Sequence, residues 1–527
     1  MHQTTTGQDG DPHVSEWETP TTMKILRRRG LIAVLATGLA LLGLAGCTRF
    51  GASLSRPSDP VVLDGSALPK LLGTDPMHVV GFSWDGSAWH QVPVQVDKRD
   101  YVSPGVIYHL PTSSYPNLYG TTTPYKILVY TPPASLSPSY TSGDTYTPPD
   151  SNPMFDANDE LSFLAADTGQ QANSSAANPA GVDVTTREEV KATDPLAPSQ
   201  LGYVYLFHSA TLTGGGAGTD GVNYSFSLDS GSYTATYKMG TNSLAPNNTW
   251  GFNPEHSTVV TPSYSLKLSD RWLNNGMTIS QGGASDANIL DRTHYYVPAG
   301  CGRSEDTFDG GASNPGEGAF IVNISGPVRA IRSYIGANSY KYTVNTDIYY
   351  PDREDTVTDL RGHAGLPGYG SADDLATGTT GLTYSDPVNN GITIDGTPDT
   401  VTPITYTTGS AVPAAWQLVS GAQGSLVTVR TLDTDITGLN VTTVYKDQNP
   451  ASPAQCTGDA AAWGQNGMNV TSPAGSSVPV TDPTLTATPA TFVLHRYRYF
   501  QPPNLPTSTA AAIDTQARTP IQATVSG

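Results

Sequence analysis

The fold class is decided by residues 319–363, which read AFIVNISGPVRAIRSYIGANSYKYTVNTDIYYPDREDTVTDLRGH. β-Branched and aromatic residues recur along this stretch, and they suit the pleated, half-buried surface of a sheet. The pattern predicts three strands, with one short charged turn, Pro351–Asp355, between the last two. We therefore expect paired antiparallel strands as the central element of the fold.

Alternation along residues 341–350 gathers polar side chains on one face of a predicted strand. With a period of two, that face carries Lys341, Thr343, Asn345, Asp347 and Tyr349. Such a face either lines a solvated groove or forms an outer sheet surface whose charged side chains pair across strands. Both interpretations are open from the sequence. If the face is a groove, its substrate-binding residues are Lys341, Asn345 and Tyr349.

The residue types on and beside this face fit two kinds of catalysis. A lyase would need a base, for which the choices are His363 and Tyr340. Its substrate carboxylate would be held by Arg332 or Asn345.

A hydrolase would use the same region differently. It would need two carboxylates that face each other across the scissile bond. The best choices are Asp347 and Asp359, which lie on consecutive predicted strands. The sequence does not decide between lyase, hydrolase and binding alone.

The composition extends the strand prediction to the whole chain. The 527 residues include 53 glycines and 42 prolines but only 14% charged residues, which is typical of many short strands joined by turns. Two β-rich runs, residues 79–84 and 89–96, flank Asp85–Gly86 as in a β-hairpin. We predict an all-β protein with very little helix, a large antiparallel β-sandwich or supersandwich. Its two β lobes are expected at residues 61–315 and 316–527.

The net charge and the absence of common catalytic motifs argue against several classes of function. The formal net charge of -19 argues against a nucleic-acid partner, because phosphate binding needs clustered Lys and Arg. An acidic surface suits an extracellular protein and bound calcium. The sequence lacks the nucleophile elbow, the zinc-binding helix and the phosphate-binding loop of common enzyme classes. These absences do not argue against catalysis by residues scattered over a sheet.

The N-terminal segment has the pattern of an export signal. Met23–Arg29 is basic, and the apolar run Leu31–Leu42 that follows is too short to anchor the chain across a bilayer. The next residues, Leu44–Cys47, read LAGC and resemble the lipobox of bacterial lipoproteins at every position.

The lipobox resemblance implies cleavage before Cys47 and lipidation of its thiol. We therefore expect a signal peptide at residues 23–46 and a tether at residues 47–60. The lipid would hold the protein on the outer side of the cytoplasmic membrane, in the bacterial cell envelope. Residues 1–22 precede the basic region and are expected to be a non-native upstream extension.

Two further cysteines remain, Cys301 and Cys456. An even pair in an exported protein favours a disulfide, and two free buried thiols are the alternative. A disulfide would require their Cα atoms to lie within about 7 Å of each other.

Residues 101–153 form a proline-rich stretch with eight tyrosines, including Tyr115 and Tyr119. A tyrosine offers a flat apolar face and a hydroxyl, which is what stacking on a sugar ring requires. We predict that Tyr115 and Tyr119 contact a substrate. The alternative is that the rings only fasten this stretch to the sheet.

An acidic turn follows this stretch. The choices for oxygen ligands to Ca²⁺ are Asp156, Asn158 and Glu160, with Asp167 as a fourth. The twelve-residue EF-hand pattern is not met, because its sixth-position glycine is missing. A solvated acidic turn without a metal is the alternative.

The segment Ser325–Ala330, SGPVRA, leads into paired strands and is similar to a recurring segment of galactose-mutarotase-like β-supersandwiches. That fold belongs to many glycan-active enzymes and their accessory domains, but a fold does not fix a function. With the export signal and the tyrosine-rich stretch, it favours a lipid-anchored cell-envelope protein that binds or processes glycans. The alternative is a non-catalytic structural or adhesive surface lipoprotein.

Overall fold

Strands dominate the structure, which is a computed structural model. It describes residues 50–107, 112, 125–132, 147–227, 255–269, 274–279, 287–298, 301–304, 318–336, 342–362, 365–452, 461–483, 486 and 488–526. Within these ranges the chain is mostly strand with two α-helices, so the predicted all-β class is confirmed.

The elements are numbered in chain order. The strands are β1 (Pro60–Asp64), β2 (Val79–Trp84), β3 (Trp89–Val92), β4 (Gln95–Asp97), β5 (Arg99–Val102), β6 (Ile127–Tyr130), β7 (Glu160–Leu164), β8 (Asp183–Asp194), β9 (Ala197–His208), β10 (Asn223–Ser225), β11 (His256–Val260), β12 (Tyr264–Ser269), β13 (Asn274–Ile279), β14 (Leu290–Pro298), β15 (Cys301–Ser304), β16 (Gly318–Ser325), β17 (Ala330–Gly336), β18 (Val344–Tyr349), β19 (Arg353–Asp359), β20 (Gly368–Leu375), β21 (Leu382–Ser385), β22 (Ile392–Thr393), β23 (Thr405–Thr407), β24 (Gln417–Gly421), β25 (Gly424–Thr434), β26 (Asn440–Gln448), β27 (Ala462–Thr471), β28 (Phe492–Gln501) and β29 (Gln522–Ser526). The helices are α1 (Pro104–Ile107) and α2 (Thr507–Ala517).

The N-terminal part is a small sandwich of two sheets. One sheet has the strand order β29-β8-β9-β2-β3, and the other has the order β1-β7-β4. Apolar side chains from both sheets share one core, for example Phe163 of β7 and Leu206 of β9. The hairpin predicted around Asp85–Gly86 is confirmed, because β2 and β3 pair with Trp84 directly opposite Trp89. The predicted second strand does not continue to residue 96, because β4 pairs with β7 in the other sheet.

The larger part is a second sandwich. One layer is a nine-stranded sheet, β16-β17-β18-β19-β28-β25-β24-β21-β22. The facing layer contains a six-stranded sheet, β15-β14-β20-β27-β26-β23, and a four-stranded sheet, β10-β11-β12-β13. Aromatic contacts close both ends of the interface: Phe500 stacks on Tyr264 with ring centroids 3.8 Å apart, and Phe492 meets Tyr369 edge to face at 6.4 Å.

The predicted lobe boundary at residue 315 does not separate these sheets. β14 precedes the boundary, yet it pairs with β20 in the six-stranded sheet. β29 lies at the end of the chain, yet it pairs with β8 in the small sandwich. The two sandwiches therefore exchange strands across the predicted division. No helix among the described residues has the length and apolar character needed to cross a membrane.

Residues 319–363 contribute four strands, β16 to β19, where three were predicted. The predicted charged turn Pro351–Asp355 is mostly strand, because β19 already begins at Arg353. The charges are compatible with a strand because they have partners within the sheet. Glu354 lies opposite Arg498 of β28, and Arg353 forms an ion pair with Asp355.

Most of the predicted tether is packed against the fold. Of residues 47–60, only 47–49 lie outside the described residues. Leu54 is 1% exposed and belongs to the core of the small sandwich. Arg56 is also buried, and its Nη2 donates to Asp194 Oδ1 over 3.0 Å.

The packing of this segment predicts a stability effect. Leu54→Ala should lower the free energy of unfolding by about 2–5 kcal/mol, because it leaves a cavity in a closed core. The matched control is Leu72→Ala, since Leu72 is 41% exposed and should cost far less. Denaturant unfolding measures both. Equal small effects would show that the segment is not part of the core.

Candidate functional site

The predicted polar face lies inside the larger sandwich. The register places Asp347 of β18 opposite Arg332 of β17 on one side and Thr356 of β19 on the other. Asp347 is 5% exposed and Arg332 1%, while Asn345 and Tyr349 are fully buried. For these residues, the interpretation as a solvated groove is wrong, and so is the interpretation as an outer sheet surface.

Arg332 is bound by two carboxylates of the protein. Its Nε donates to Glu255 Oε1 over 3.0 Å and its Nη2 to Glu255 Oε2 over 2.5 Å. Its Nη1 donates to Asp347 Oδ2 over 2.8 Å. Burial raises the pKa of Glu255, although the charge of Arg332 opposes the rise. The guanidinium predicted to hold a substrate carboxylate is therefore engaged by internal ones.

The predicted hydrolase pair is not formed. Asp347 lies opposite Thr356, and Asp359 follows Thr356 by three residues, so alternation places the two carboxylates on opposite faces of the sheet. Asp359 forms an ion pair with Arg361, whose guanidinium also donates to the Tyr125 hydroxyl. The two carboxylates therefore do not face one bond.

Several predicted residues lie outside the described ones. They are Cys47, Tyr115, Tyr119, Tyr340, Lys341, His363 and Cys456. Cys301 lies in β15, but its side chain is likewise outside the description. The lipidation, the disulfide, the lyase base and the substrate contacts of these tyrosines stay predictions. Asn345, the other residue predicted to hold a substrate, accepts a hydrogen bond from Thr358 Oγ1 over 2.8 Å.

The centre of the larger sandwich contains a layer of eight charged side chains, which we call the charged layer. Its members are Arg332, Arg430, Arg496, Arg498, Glu255, Asp347, Glu354 and Asp373, and none is more than 5% exposed. Arg498 connects the two sheets, because it pairs with Glu354 of the nine-stranded sheet and its Nη1 lies 3.4 Å from Asp373 Oδ1 of the six-stranded sheet. Arg430 Nη2 donates to the other Asp373 oxygen over 2.9 Å.

Within the charged layer, the positive and negative side chains are equal in number. Burial would raise the pKa of Asp373, but the charges of Arg498, Arg496 and Arg430 outweigh it and lower that pKa to about 2. Burial raises the pKa of Glu354. Four guanidinium groups face four carboxyl groups, so the layer neutralises itself. We interpret it as an internal ion-pair network that joins the sheets.

The predicted calcium ligands do not form one site. Asp156 lies beside Asp150 and Asp159, with carboxylate oxygens within 4.8 Å of one another. A cation of the protein already lies among them. Lys98 Nζ is 2.6 Å from Asp159 Oδ2, 2.9 Å from Asp150 Oδ2 and 3.8 Å from Asp156 Oδ2. The ammonium group thus takes the position that a metal ion would need.

The other predicted ligands are engaged elsewhere. Glu160 forms ion pairs with Arg99 and with Arg329, whose Nη2 lies 2.7 Å from Glu160 Oε2. Asn158 donates its amide to a backbone carbonyl. Asp167 is 1% exposed in a short helical turn after β7. The alternative, a solvated acidic turn, holds only in part: Asp156, Asn158 and Glu160 are partly exposed, but Asp159 is buried with Lys98.

The turn Ser325–Ala330 joins the two sandwiches. Gln95 Oε1 of β4 accepts hydrogen bonds from the backbone N–H groups of Val328 and Arg329, over 3.1 and 3.0 Å. A Cβ at Gly326 would lie 2.1 Å from Gln95 Oε1, so a larger residue would displace the Gln95 amide from these hydrogen bonds. Arg329 Nε donates to Asp97 Oδ2 over 2.8 Å.

A cleft of about 450 Å³ lies beside this turn, where Ile324 and Pro327 face Met77 and Val94. Its deeper polar residues are Gln95, Asp97 and Lys98, and all three are hydrogen-bonded within the protein. The cleft is therefore a mainly apolar gap between the sandwiches. No polar group of this set is left to bind a ligand.

A different cavity lies on the outer face of the five-stranded sheet, and we call it the aromatic groove. Its volume is about 570 Å³, and its lining includes Phe82, Trp84, Trp89, Gln91, Asn178 and Leu212. The hairpin places the aromatic side chains together, because Trp84 pairs with Trp89 and Phe82 pairs with Gln91 across β2 and β3. Directly opposite residues share one face of an antiparallel sheet.

Contacts with neighbouring rings fix the indole groups. Trp89 meets Trp84 with ring centroids 5.1 Å apart and Tyr205 with centroids 4.9 Å apart, both edge to face. Trp89 Nε1 donates to the backbone oxygen of Ala177 over 2.5 Å. Phe82 and Trp84 are buried, Trp89 is half-buried and Asn178 is exposed, so the groove offers one indole and an amide to solvent.

Comparisons with known proteins do not add to this geometry. No protein-family model matches the chain, and no curated protein matches it either. The aromatic groove was missed from the sequence. The signal available was a pair of tryptophans, Trp84 and Trp89, flanking the four-residue turn Asp85–Ala88, which a hairpin places opposite each other.

The charged layer predicts the effect of removing one charge. Asp373→Asn should lower the free energy of unfolding at pH 7 by about 3–5 kcal/mol, because it leaves buried arginines without a counter-charge. The folded-state pKa is about 2, below the ordinary 3.8, so this stabilisation is present above pH 4 and is lost as the pH falls towards 2.

Urea unfolding of wild type and variant between pH 7 and pH 2 tests this. The difference in the free energy of unfolding between wild type and variant should become smaller below pH 4. The control is Asp433→Asn, at the exposed end of β25. It should change the free energy of unfolding little at any pH. A constant difference, or one as small as the control, would contradict the role of Asp373.

Lys98 generates a separate prediction. The wild-type melting temperature should be the same in calcium and in chelator, because the ammonium group occupies the acidic cluster. Lys98→Met should destabilise the protein and make its melting temperature rise with added calcium, since three carboxylates lose their cation. Lys70→Met, at an exposed lysine, is the control. A wild-type melting temperature that falls in chelator would restore the calcium hypothesis.

Proposed function

We propose that the protein is a lipid-anchored lipoprotein of the bacterial cell envelope that binds glycans in the aromatic groove. The observation that carries the proposal is the partly exposed indole of Trp89, which packs on the buried Trp84, beside the exposed amide of Asn178. Aromatic rings offer flat apolar surfaces to the C–H faces of sugars, and a few polar groups set the orientation of the ligand.

The buried polar face supports binding over processing. General acid–base catalysis requires a titratable group within hydrogen-bond reach of the substrate. Arg332 and Asp347 instead bond to each other inside the sandwich, and Asp359 lies on the other face of its sheet. The proposed function therefore has no chemical step at this face.

The sequence supports the location. The LAGC pattern at Leu44–Cys47 provides a lipidation signal, and the acidic composition is typical of exported proteins. The likeness of Ser325–Ala330 to galactose-mutarotase-like β-supersandwiches supports a glycan as the ligand class. The groove lies on a different sheet from this segment, so the two arguments are independent.

A second function is favoured by a specific observation. Trp89 Nε1 bonds to the carbonyl of Ala177, and the Tyr205 hydroxyl accepts a hydrogen bond from the N–H of Ala172. The aromatic side chains thus also fasten residues 172–177 to the sheet. On this basis the protein is a structural or adhesive surface lipoprotein whose aromatic groove binds no sugar.

Glycan-array binding of the fragment that begins at Thr48 separates the two functions. We expect binding to a defined glycan class. Trp89→Ala should raise the dissociation constant about tenfold, because it removes about 1.5 kcal/mol of stacking on the sugar. Tyr101→Ala is the matched control, because Tyr101 is a 54% exposed aromatic residue outside the groove. Its binding should equal that of the wild type.

Melting curves must accompany this test, because Trp89 also packs against the sheet. Asn178→Ala provides a second variant, since Asn178 is exposed and should alter binding without altering stability. No binding across plant, fungal and bacterial glycans would favour the structural lipoprotein. Release of shortened or unsaturated products would contradict binding without processing.

A further inference from the structure

The chain between the predicted lipid and the described fold is very short. Phe50 is the first described residue, and its ring stacks on the His90 ring with centroids 4.9 Å apart. Phe50 and Gly51 also bridge to Gly169, and Ser53 N–H donates to the oxygen of Leu201 over 3.0 Å. The described part of the fold therefore begins three residues after Cys47.

This length limits how far the fold can stand from a bilayer. Three residue steps span at most roughly 11 Å when fully extended. Residues 53–56 cannot add to this reach without leaving the fold, because Leu54 and Arg56 are buried. A lipid on Cys47 would hold the site of Phe50 close to the membrane surface.

Phe50 lies beside the hairpin that carries the groove. His90, on which it stacks, is adjacent in sequence to Trp89. On the other side, Gly169 is followed by Gln170, which bridges to Trp84 and donates its amide to the oxygen of Asp85 over 3.1 Å. His90 Nε2 lies within hydrogen-bond distance of Asp85 Oδ2, at 2.7 Å, and both side chains are partly exposed. The same end of the hairpin thus contacts the anchored segment and carries both tryptophans.

We propose that the Asp85–His90 end of the hairpin faces the phospholipid bilayer and that the aromatic groove opens beside the membrane surface. The proposal rests on the lipidation of Cys47, which is part of the proposed function, but not on glycan binding. The short segment after Cys47 and the Phe50–His90 stack keep Trp89, the sequence neighbour of His90, close to the lipid-bearing residue. A bound glycan would then have to reach the membrane-proximal layer of the envelope.

Hydroxyl-radical footprinting of the lipidated protein tests this placement. The full chain is expressed in a bacterial host that lipidates exported proteins and is reconstituted in phosphatidylethanolamine–phosphatidylglycerol vesicles. The variant carries a flexible Gly-Ser spacer of about 20 residues between Thr48 and Arg49, whose mean span is roughly 25 Å. Trp89 and His90 report the bilayer-facing end, because both are partly exposed.

Val388 is the internal control. It is 59% exposed in the turn between β21 and β22. β22 lies five strands away from β19 in the nine-stranded sheet, which corresponds to about 24 Å. β19 is the reference strand because its Arg353 lies 3.9 Å from Asp59 of the N-terminal segment. Oxidation of Val388 should be the same in both proteins.

We expect oxidation of Trp89 and His90 to be lower in the vesicle-bound wild type than in the spacer variant. Detergent should abolish the difference, because it removes the flat bilayer surface. Equal oxidation of both proteins on vesicles would overturn the placement, and so would a wild type that fails to associate with vesicles. Both readouts are independent of any sugar, so a failed glycan array would leave this result interpretable.

Discussion

The ion pairs of Arg498 are the constraint on which the larger sandwich depends. Arg498 is fully buried and pairs with Glu354 in its own sheet and with Asp373 in the facing sheet. Removing charges from water costs several kcal/mol for each ion, so these groups are tolerated only because they are paired. A one-residue slip of β28 would move Arg496 and Arg498 to the other face of the sheet. The charged layer therefore fixes the register of the central strand.

The sequence of β28 shows how the charged layer is sealed from water. Its inward residues are Phe492, Leu494, Arg496, Arg498 and Phe500, so two charged positions lie between apolar ones. Phe492 and Leu494 belong to one apolar core, and Phe500 belongs to another. The polar face of residues 343–349 lies over the same interior and is enclosed with it. A ligand therefore cannot reach this face, whereas the aromatic groove lies on the outside of the five-stranded sheet.

The all-β class and the hairpin of residues 79–92 could be predicted, because each depends on local patterns of residues. Alternation also identified correctly which side chains share the face of Asp347. It could not show that this face is buried, because that depends on packing against distant strands. The partner of Asp159 could not be predicted either, since Lys98 is 61 residues away in sequence. Nor could the partner of Arg329, which donates a hydrogen bond to Asp97, 232 residues away in sequence.

The central claim is that a ligand binds at the outer aromatic groove while the face of residues 343–349 is purely internal. Hydrogen-exchange mass spectrometry of the fragment that begins at Thr48, with and without an oligosaccharide from the array, tests it most directly. The account predicts slower exchange in residues 82–91 and 177–180 on binding, and unchanged exchange in residues 343–349. Protection confined to residues 343–349 would contradict it.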